Sequence, residues 1–270
     1  MGRFLLLYSY KHYTELVLNN PRTRGNMAQE VDYKIYGGDI QFVEIELDPN
    51  ETVIAEPGAL LYMHQDITFD ARMGDGSKVN SGLLSKVASV GKRMLANESI
   101  FLTHFTNSGS GKSWVALAAP HPGRIMGIDL DSCGGSLICQ KESFLAAAYG
   151  TEISITLNKR LGAGFFGGEG FILQKLIGNG NVFIHAGGTM IELMLDNETL
   201  RVDTGCLVAF ESTIEYDIQT TGSIKSMVFG GEGIFLATLS GTGRVWLQSM
   251  PFSKLANQII SRIPQKTNTG

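Results

Sequence analysis

The stretch FGGEGFILQKLIGNGNVFIH (residues 166–185) decides the fold, because it recurs without gaps as FGGEGIFLATLSGTGRVWLQ at residues 229–248. A weaker third copy, LANESIFLTHFTNSGSGKSWVAL, lies upstream at residues 95–117. Self-similarity of this kind is typical of a chain built from repeated modules. Each copy has an extended run, a glycine-containing turn and a second extended run. This pattern predicts a β-hairpin in each module.

A second landmark supports the count of three modules. ETVIAEPGAL (51–60) aligns with ETLRVDTGCL (198–207), and SLICQKESFL (136–145) fits the same position with weaker similarity. The order Pro-Gly in the first of these predicts a type II turn. IQFVEIEL (40–47) alternates apolar and polar residues from Ile40 onwards, as half-buried strands do. Short strands bury their apolar faces only when sheets pack together, so we predict an all-β fold of three tandem β-sandwich modules in a pseudo-threefold arrangement.

The end of the chain has helical periodicity. Apolar residues recur at helical spacing in residues 252–263, between Pro251 and Pro264, which predicts a C-terminal amphipathic helix. The predicted boundaries are a flexible N-terminal extension at 1–26, module one at 27–117 with an insertion at 71–95, module two at 118–184, module three at 185–250, and the C-terminal helix and tail at 251–270.

Composition excludes several classes of function. The 270 residues carry a formal net charge of −4, and the basic residues of the first 26 positions leave the remainder more acidic still. An acidic body disfavours nucleic-acid binding, which needs clustered Lys and Arg. The three cysteines have no C-x-x-C spacing, so neither a zinc site nor a disulfide framework is expected. We therefore expect a reducing, cytoplasmic location, with a membrane-associated or, in a eukaryote, mitochondrial location as the alternative.

Several segments together resemble one known family. They are the three tandem β modules, LLSKVASVGKRMLANESIFLTHFT (83–106), the FGGEG joints and the turn PGALLYM (57–63). They resemble the altered-inheritance-of-mitochondria family over roughly residues 29–250. The resemblance implies three copies of the module of the trp RNA-binding attenuation protein, a short β-sandwich or double-stranded β-helix. It implies no established enzyme activity; fungal members are associated with mitochondrial inner-membrane organisation, and bacterial members are largely uncharacterised.

The FGGEG joints have two interpretations. A phosphate-binding loop would need a helix after the glycines, but an apolar β run follows each copy, and a glutamate would repel phosphate. We therefore predict a structural joint, with ligand binding as the alternative. The glutamate of each copy is predicted to accept backbone N–H bonds, and the preceding residue to adopt positive φ. The joint residues are Asn97, Glu98, Gly168, Glu169, Gly231 and Glu232.

No constellation for catalysis or cofactor binding is recognisable. GAGFFG (162–167) matches a dinucleotide-binding motif but lacks a surrounding βαβ unit. SGSGKSW (108–114) has Thr106 where a Walker A loop needs glycine, so we interpret SGSGKSW as a hairpin tip. The five histidines form no H-x-x-x-H or H-x-H pair, although strands can assemble a metal site from distant residues. We predict no catalytic, cofactor or metal residues and no enzyme activity. Trp114 and Trp246 are interpreted as core or interface anchors.

The insertion in module one is the strongest candidate for a contact surface. It is apolar on one side and carries three basic residues, so it covers an open sheet end or contacts a membrane surface or protein partner. The residues concerned are Leu83, Leu84, Lys86, Val87, Val90, Lys92, Arg93 and Met94.

Two functions are carried forward from the sequence. The first is a non-enzymatic, homo-oligomeric β-scaffold or interaction protein, with association with a membrane left open, because sheets leave edges that are usually paired or covered. The second is a small-molecule binding module with its ligand between modules. RNA binding is disfavoured by the acidic body.

Overall fold

The computed structural model describes residues 28–29, 31–74, 100–159, 171–221 and 234–263. Within these ranges the chain is mostly β, with one α-helix near its end. The strands are β1 (Asp32–Tyr36), β2 (Phe42–Leu47), β3 (Thr52–Ala55), β4 (Leu60–Met63), β5 (Ile67–Met73), β6 (Phe101–Asn107), β7 (Ser113–Ala118), β8 (Gly123–Asp129), β9 (Ser136–Gln140), β10 (Phe144–Ala148), β11 (Glu152–Lys159), β12 (Phe171–Ile177), β13 (Asn181–Gly187), β14 (Met190–Asp203), β15 (Leu207–Glu211), β16 (Glu215–Thr221) and β17 (Ile234–Gln248), and the helix is α1 (Phe252–Ile260). The predicted all-β class and C-terminal helix are confirmed.

The strands form three sheets. The first has the order β1-β2-β7-β4, and the second β5-β6-β3-β10-β13-β8. The third has the order β11-β12-β9-β15-β17-β14, and β16 also pairs with β17. All pairs between these strands are antiparallel, which suits a fold built from short connections.

One pairing scheme occurs three times along the chain. We call β2–β7 the first strand set, β8–β13 the second and β14–β17 the third. In every set the first strand pairs with the sixth and the sixth with the third, while the second pairs with the fifth and the fifth with the fourth. In the third set β14 and β17 each fill two positions, because β14 shifts register between Leu195 and Glu198 and β17 carries Gly241 and Gly243 at positive φ. The module boundaries stay a prediction, since neighbouring sets share sheets.

The predicted hairpins are wrong. β6 pairs with β3 and β5 in the second sheet, whereas β7 pairs with β2 and β4 in the first. The turn after Asn107 therefore leads from one sheet to the other. The fully buried Asn107 amide holds this corner by donating to the carbonyls of Leu47 (2.8 Å) and Gly111 (2.7 Å). A strand-turn-strand pattern in the sequence predicts that the chain reverses direction, but it does not predict which strands the two flanking strands pair with.

The landmark alignment is right for the first and third strand sets and displaced by one residue in the second. The third strand of each set, which is β4, β10 or β15, carries a register shift at its start. The residue at which the shift begins is Leu60, Phe144 or Leu207. The alignment of 51–60 with 198–207 agrees with this register. The alignment of 136–145 would instead place Leu145 there.

Local patterns were predicted more accurately. Val43, Ile45 and Leu47 of β2 are fully buried, and the glutamates between them are half-buried, which confirms the alternation. The prediction that the alternation begins at Ile40 is wrong, because Ile40 precedes the strand and is exposed. Gly58 has φ +88°, and the Ala59 N–H donates to the Glu56 carbonyl (3.3 Å), which confirms the turn predicted after Glu56.

The core lies between the sheets as three apolar clusters. One joins the first and second sheets, one the second and third, and one covers the other face of the third sheet. Trp246 is fully buried in the middle cluster and donates its indole N–H to Glu192 Oε2 (2.8 Å), so its predicted anchor role is confirmed. Trp114 is half-buried, with the His64 ring edge-on at 5.0 Å.

Candidate functional site

The residues predicted for the joints and for the contact surface lie outside the described residues. These are Asn97, Glu98, Gly168, Glu169, Gly231 and Glu232 for the joints, and Leu83, Leu84, Lys86, Val87, Val90, Lys92, Arg93 and Met94 for the surface. Their roles therefore stay predictions. The described part of the chain offers a cavity and two exposed apolar surfaces.

The cavity has a volume of about 390 Å³ and lies where the first and second strand sets meet, beside the start of α1. Its walls are mostly apolar and include a few charged groups. They comprise Glu56, Pro57, Gly58, Ala59, Ala118, Pro120, His121, Lys141, Glu142, Phe144, Leu145 and Phe252. Ligand pockets usually have this size and this mixture of apolar walls and few polar groups.

Backbone hydrogen bonds fix the cavity wall. The Glu56 N–H donates to the Leu145 carbonyl (3.0 Å), which joins the type II turn to β10. The Ala118 N–H donates to the Ala59 carbonyl (2.8 Å), which joins the same turn to the end of β7. The turn is therefore tied to strands of two sheets, and its side of the cavity is preformed.

A histidine pair lies beside the cavity. The ring of His121 stacks on Phe252 (5.3 Å between centroids) and meets His185 edge-on (4.2 Å). His185 Nε2 lies 3.2 Å from the His121 carbonyl oxygen, and its Nδ1 has no hydrogen-bond partner among the described residues. Burial, and next the neighbouring His121, lower the pKa of His185 to about 4. Burial also lowers the pKa of His121. Both rings are therefore neutral near pH 7.

The side chains around the cavity are suited to binding a small molecule. Burial raises the pKa of the Cys133 and Cys139 thiols, so neither is an activated thiolate. Among the described residues, no group of three or more His, Cys, Asp or Glu side chains is placed to hold a metal ion. The neutral imidazole of His121, which lines the cavity, can form a hydrogen bond with a small amphipathic molecule.

The edge of β4 is the first exposed apolar surface. Leu60, Leu61 and Tyr62 are 39%, 51% and 41% exposed, although they belong to a strand. The Tyr62 hydroxyl donates to Glu44, and this hydrogen bond raises the pKa of Tyr62 to about 12. The sequence contained the signal in LLYM, which has no charge or proline, but we assigned PGALLYM only to a turn.

The outer face of α1 is the second exposed apolar surface. Lys254 forms an ion pair with Asp203 (2.9 Å), which attaches the helix to the third strand set. Ile259, Ile260 and Ile263 beyond it are more than half exposed. The amphipathic pattern was predicted, but not that its apolar side would face solvent.

Fold and site together define a class: an all-β protein of repeated strand sets, with a preformed ligand-sized cavity and, among the described strands, an apolar edge strand that pairs on one side alone. Residues 33–250 match the family model described as mitochondrial biogenesis AIM24. The chain belongs to this family, and the resemblance found in the sequence is confirmed.

Two relatives support the assignment. An uncharacterised protein of Streptococcus pyogenes serotype M6 is 27% identical over 228 residues, which are 84% of this chain and 88% of the relative. An X-ray crystal structure of a Streptococcus pyogenes protein is similar with a TM-score of 0.68 and 22% identity, and the match covers 86% of this chain and 99% of that one. The latter shows the fold. In the part of the chain that the structure describes, no helix is both long and apolar enough to cross a membrane.

Proposed function

We propose that the protein is a non-enzymatic scaffold that acts as a homo-oligomer. The observation that carries this proposal is the edge of β4, where three large apolar side chains are exposed in a strand without charge or proline. Natural sheets protect their edges with charges, prolines or a covering segment. Burying a leucine side chain contributes about 1.5–3 kcal/mol, so covering this edge favours association strongly.

Assembly is tested by native mass spectrometry and light scattering at micromolar concentration. The wild type should be an oligomer, and Leu61→Lys should dissociate it, because a lysine on the strand edge opposes pairing. Phe69→Lys is the matched control: Phe69 is also exposed, on β5, and its replacement should leave the oligomer intact. A monomeric wild type would refute the proposal, and equal dissociation by both variants would exclude the β4 edge as the cause.

Association with a membrane surface is part of the proposal. Its support is the exposed isoleucine face of α1, since an amphipathic helix with one apolar side binds at lipid interfaces. The 82–95 segment remains the second candidate contact. Flotation with liposomes should fall when Ile259 and Ile260 are both replaced by serine, and unchanged flotation would exclude α1 as the contact.

The cavity favours a second candidate function, the binding of a small molecule between strand sets. A thermal-shift screen of amino acids and nucleotides should find a stabilising compound. Phe252→Ala removes one wall and should abolish that stabilisation, while Ile260→Ala on the same helix should not. A screen without a hit, or equal shifts in both variants, would count against this function.

Three finer expectations are kept as proposals. The recurring pairing scheme supports a pseudo-threefold arrangement of modules like that of the trp RNA-binding attenuation protein. The free thiols Cys133, Cys139 and Cys206 support a reducing, cytoplasmic environment. The acidic charge balance supports protein or small-molecule partners over nucleic acid.

A further inference from the structure

Two junctions of the same design join the three strand sets. In each junction the second strand of one set lies antiparallel to the third strand of the next. Ala55 of β3 lies opposite Ala146 of β10, and Cys139 of β9 lies opposite Ala209 of β15. All four residues are fully buried. Each junction therefore turns two sheet edges into core.

A third junction of this design is not made within the described residues. There, β4 pairs with β7 alone, and the C-terminal half of β14, residues 198–203, pairs with β17 alone. β4 is the third strand of the first set, and residues 198–203 are the second strand of the last set. They are the two kinds of strand that the junction needs. β10, which occupies in its own set the position of β4, is buried throughout.

We propose that β4 of one copy pairs with residues 198–203 of a second copy, by the junction that the chain already uses twice. This inference deepens the proposed homo-oligomer and rests on it. The two edges differ, so the interface is head-to-tail, and repeating it gives a closed ring or an open filament.

The register follows from the internal junctions. The register shift of each third strand begins five residues after Ala55, Cys139 and Val202, which are equivalent positions of the second strands. Tyr62 is therefore equivalent to Ala146 and Ala209. Transferring the pairing places Tyr62 opposite Val202 and Met63 opposite Arg201. Val202 packs in its own core, while Arg201 is exposed, so the strand presents an alternating edge.

Side-chain chemistry favours a second copy over closure within one chain. At the corresponding positions both internal junctions are buried and apolar, with alanine, cysteine, phenylalanine and isoleucine side chains, as in Ala147 opposite Ile54. The remaining pair of edges carries Tyr62 and Arg201 at the corresponding positions. Tyrosine and arginine are enriched at protein interfaces, where their polar ends reach water at the rim, but they fit poorly into a dry core.

Engineered cysteines test the register. Met63→Cys and Arg201→Cys are made separately in a Cys206→Ser background, since Cys133 and Cys139 are buried. Directly opposite residues of paired strands lie within reach of a disulfide. Oxidation of the mixed variants should give a disulfide-linked dimer, and neither variant alone should do so. Ile191→Cys is the matched control: it lies exposed in the other half of β14 and should lose the cross-link to Met63→Cys.

The other outcomes overturn the inference in distinguishable ways. A dimer from Met63→Cys alone would mean that two β4 edges pair with each other. A cross-linked monomer of a variant that carries both Met63→Cys and Arg201→Cys would mean closure within one chain. An oligomeric wild type without any of these cross-links would reject the junction but retain the proposed scaffold, while a monomeric wild type would reject both.

Discussion

We predict that the buried side chain of His185, beside the cavity, makes the folded protein less stable at acidic pH. The perturbation is His185→Gln, which keeps an amide N–H that can donate to the His121 carbonyl but removes the titrating group. In the wild type only 2% of His185 is exposed, and protonation would place a second N–H at Nδ1, which has no acceptor among the described residues. The folded protein therefore resists protonation.

The sign and size follow from linkage. The pKa of His185 is about 4 in the folded protein, against an ordinary value of 6.5. Above pH 6.5 the ring is neutral in both states, so stability does not depend on it. Between about pH 6.5 and 4 the unfolded chain binds a proton that the folded protein does not, so stability falls as pH falls. The full difference corresponds to about 3 kcal/mol.

The assay is urea unfolding followed by tryptophan fluorescence at several pH values between 7.5 and 4. The stability difference between wild type and His185→Gln should change by about 3 kcal/mol over this range, in favour of the variant at low pH. His64→Gln, at an exposed position, is the control for replacing a histidine by glutamine elsewhere in the chain. If His185→Gln shows the wild-type pH dependence, the assignment of this titration to His185 is refuted.

Three further predictions concern stability, each measured by urea unfolding. Trp246→Phe should cost about 2 kcal/mol, because it leaves a void and removes the indole bond to Glu192; a cost near zero would contradict the anchor role. Gly58→Ala should cost about 1–2 kcal/mol through its positive φ, while Gly111→Ala, which has open space and no positive φ, should cost under about 0.5 kcal/mol; equal costs would exclude backbone strain. Lys254→Ala should lower the free energy of unfolding by less than about 1 kcal/mol, because its ion pair with Asp203 is half exposed. A larger loss would mean that the ion pair stabilises more of the structure than the attachment of α1.

Local patterns in the sequence predicted local structure well. Alternation in β2 follows from one buried face, and the Pro-Gly turn follows from the φ that glycine permits. The periodicity of residues 252–263 predicted α1, although the helix itself ends at Ile260. Each of these depends on residues that are neighbours in the chain, so the information is contained in a short window.

Long-range pairing was predicted less well, for a physical reason. Whether β6 and β7 pair with each other depends on which strands compete for their edges, and those strands come from elsewhere in the chain. The cavity likewise combines a turn, a strand end and a helix that are distant in sequence, so no motif marks it. The exposed face of α1 was missed because periodicity identifies an apolar side without showing what covers it.

The course of the chain after the third strand set supports an open edge at β4. Repeated architectures need a polar or covering element at each end, because terminal repeats lack a neighbour. At one end residues 198–203 present Glu198, Thr199 and Arg201 to solvent, which makes that edge polar. At the other end β4 presents Leu60, Leu61 and Tyr62. α1 could have covered this strand, but Phe252 stacks on His121 at the cavity instead. Within the described chain the apolar end therefore has no neighbouring strand on its outer side, and the proposed pairing would cover it with the strand type that the internal junctions use.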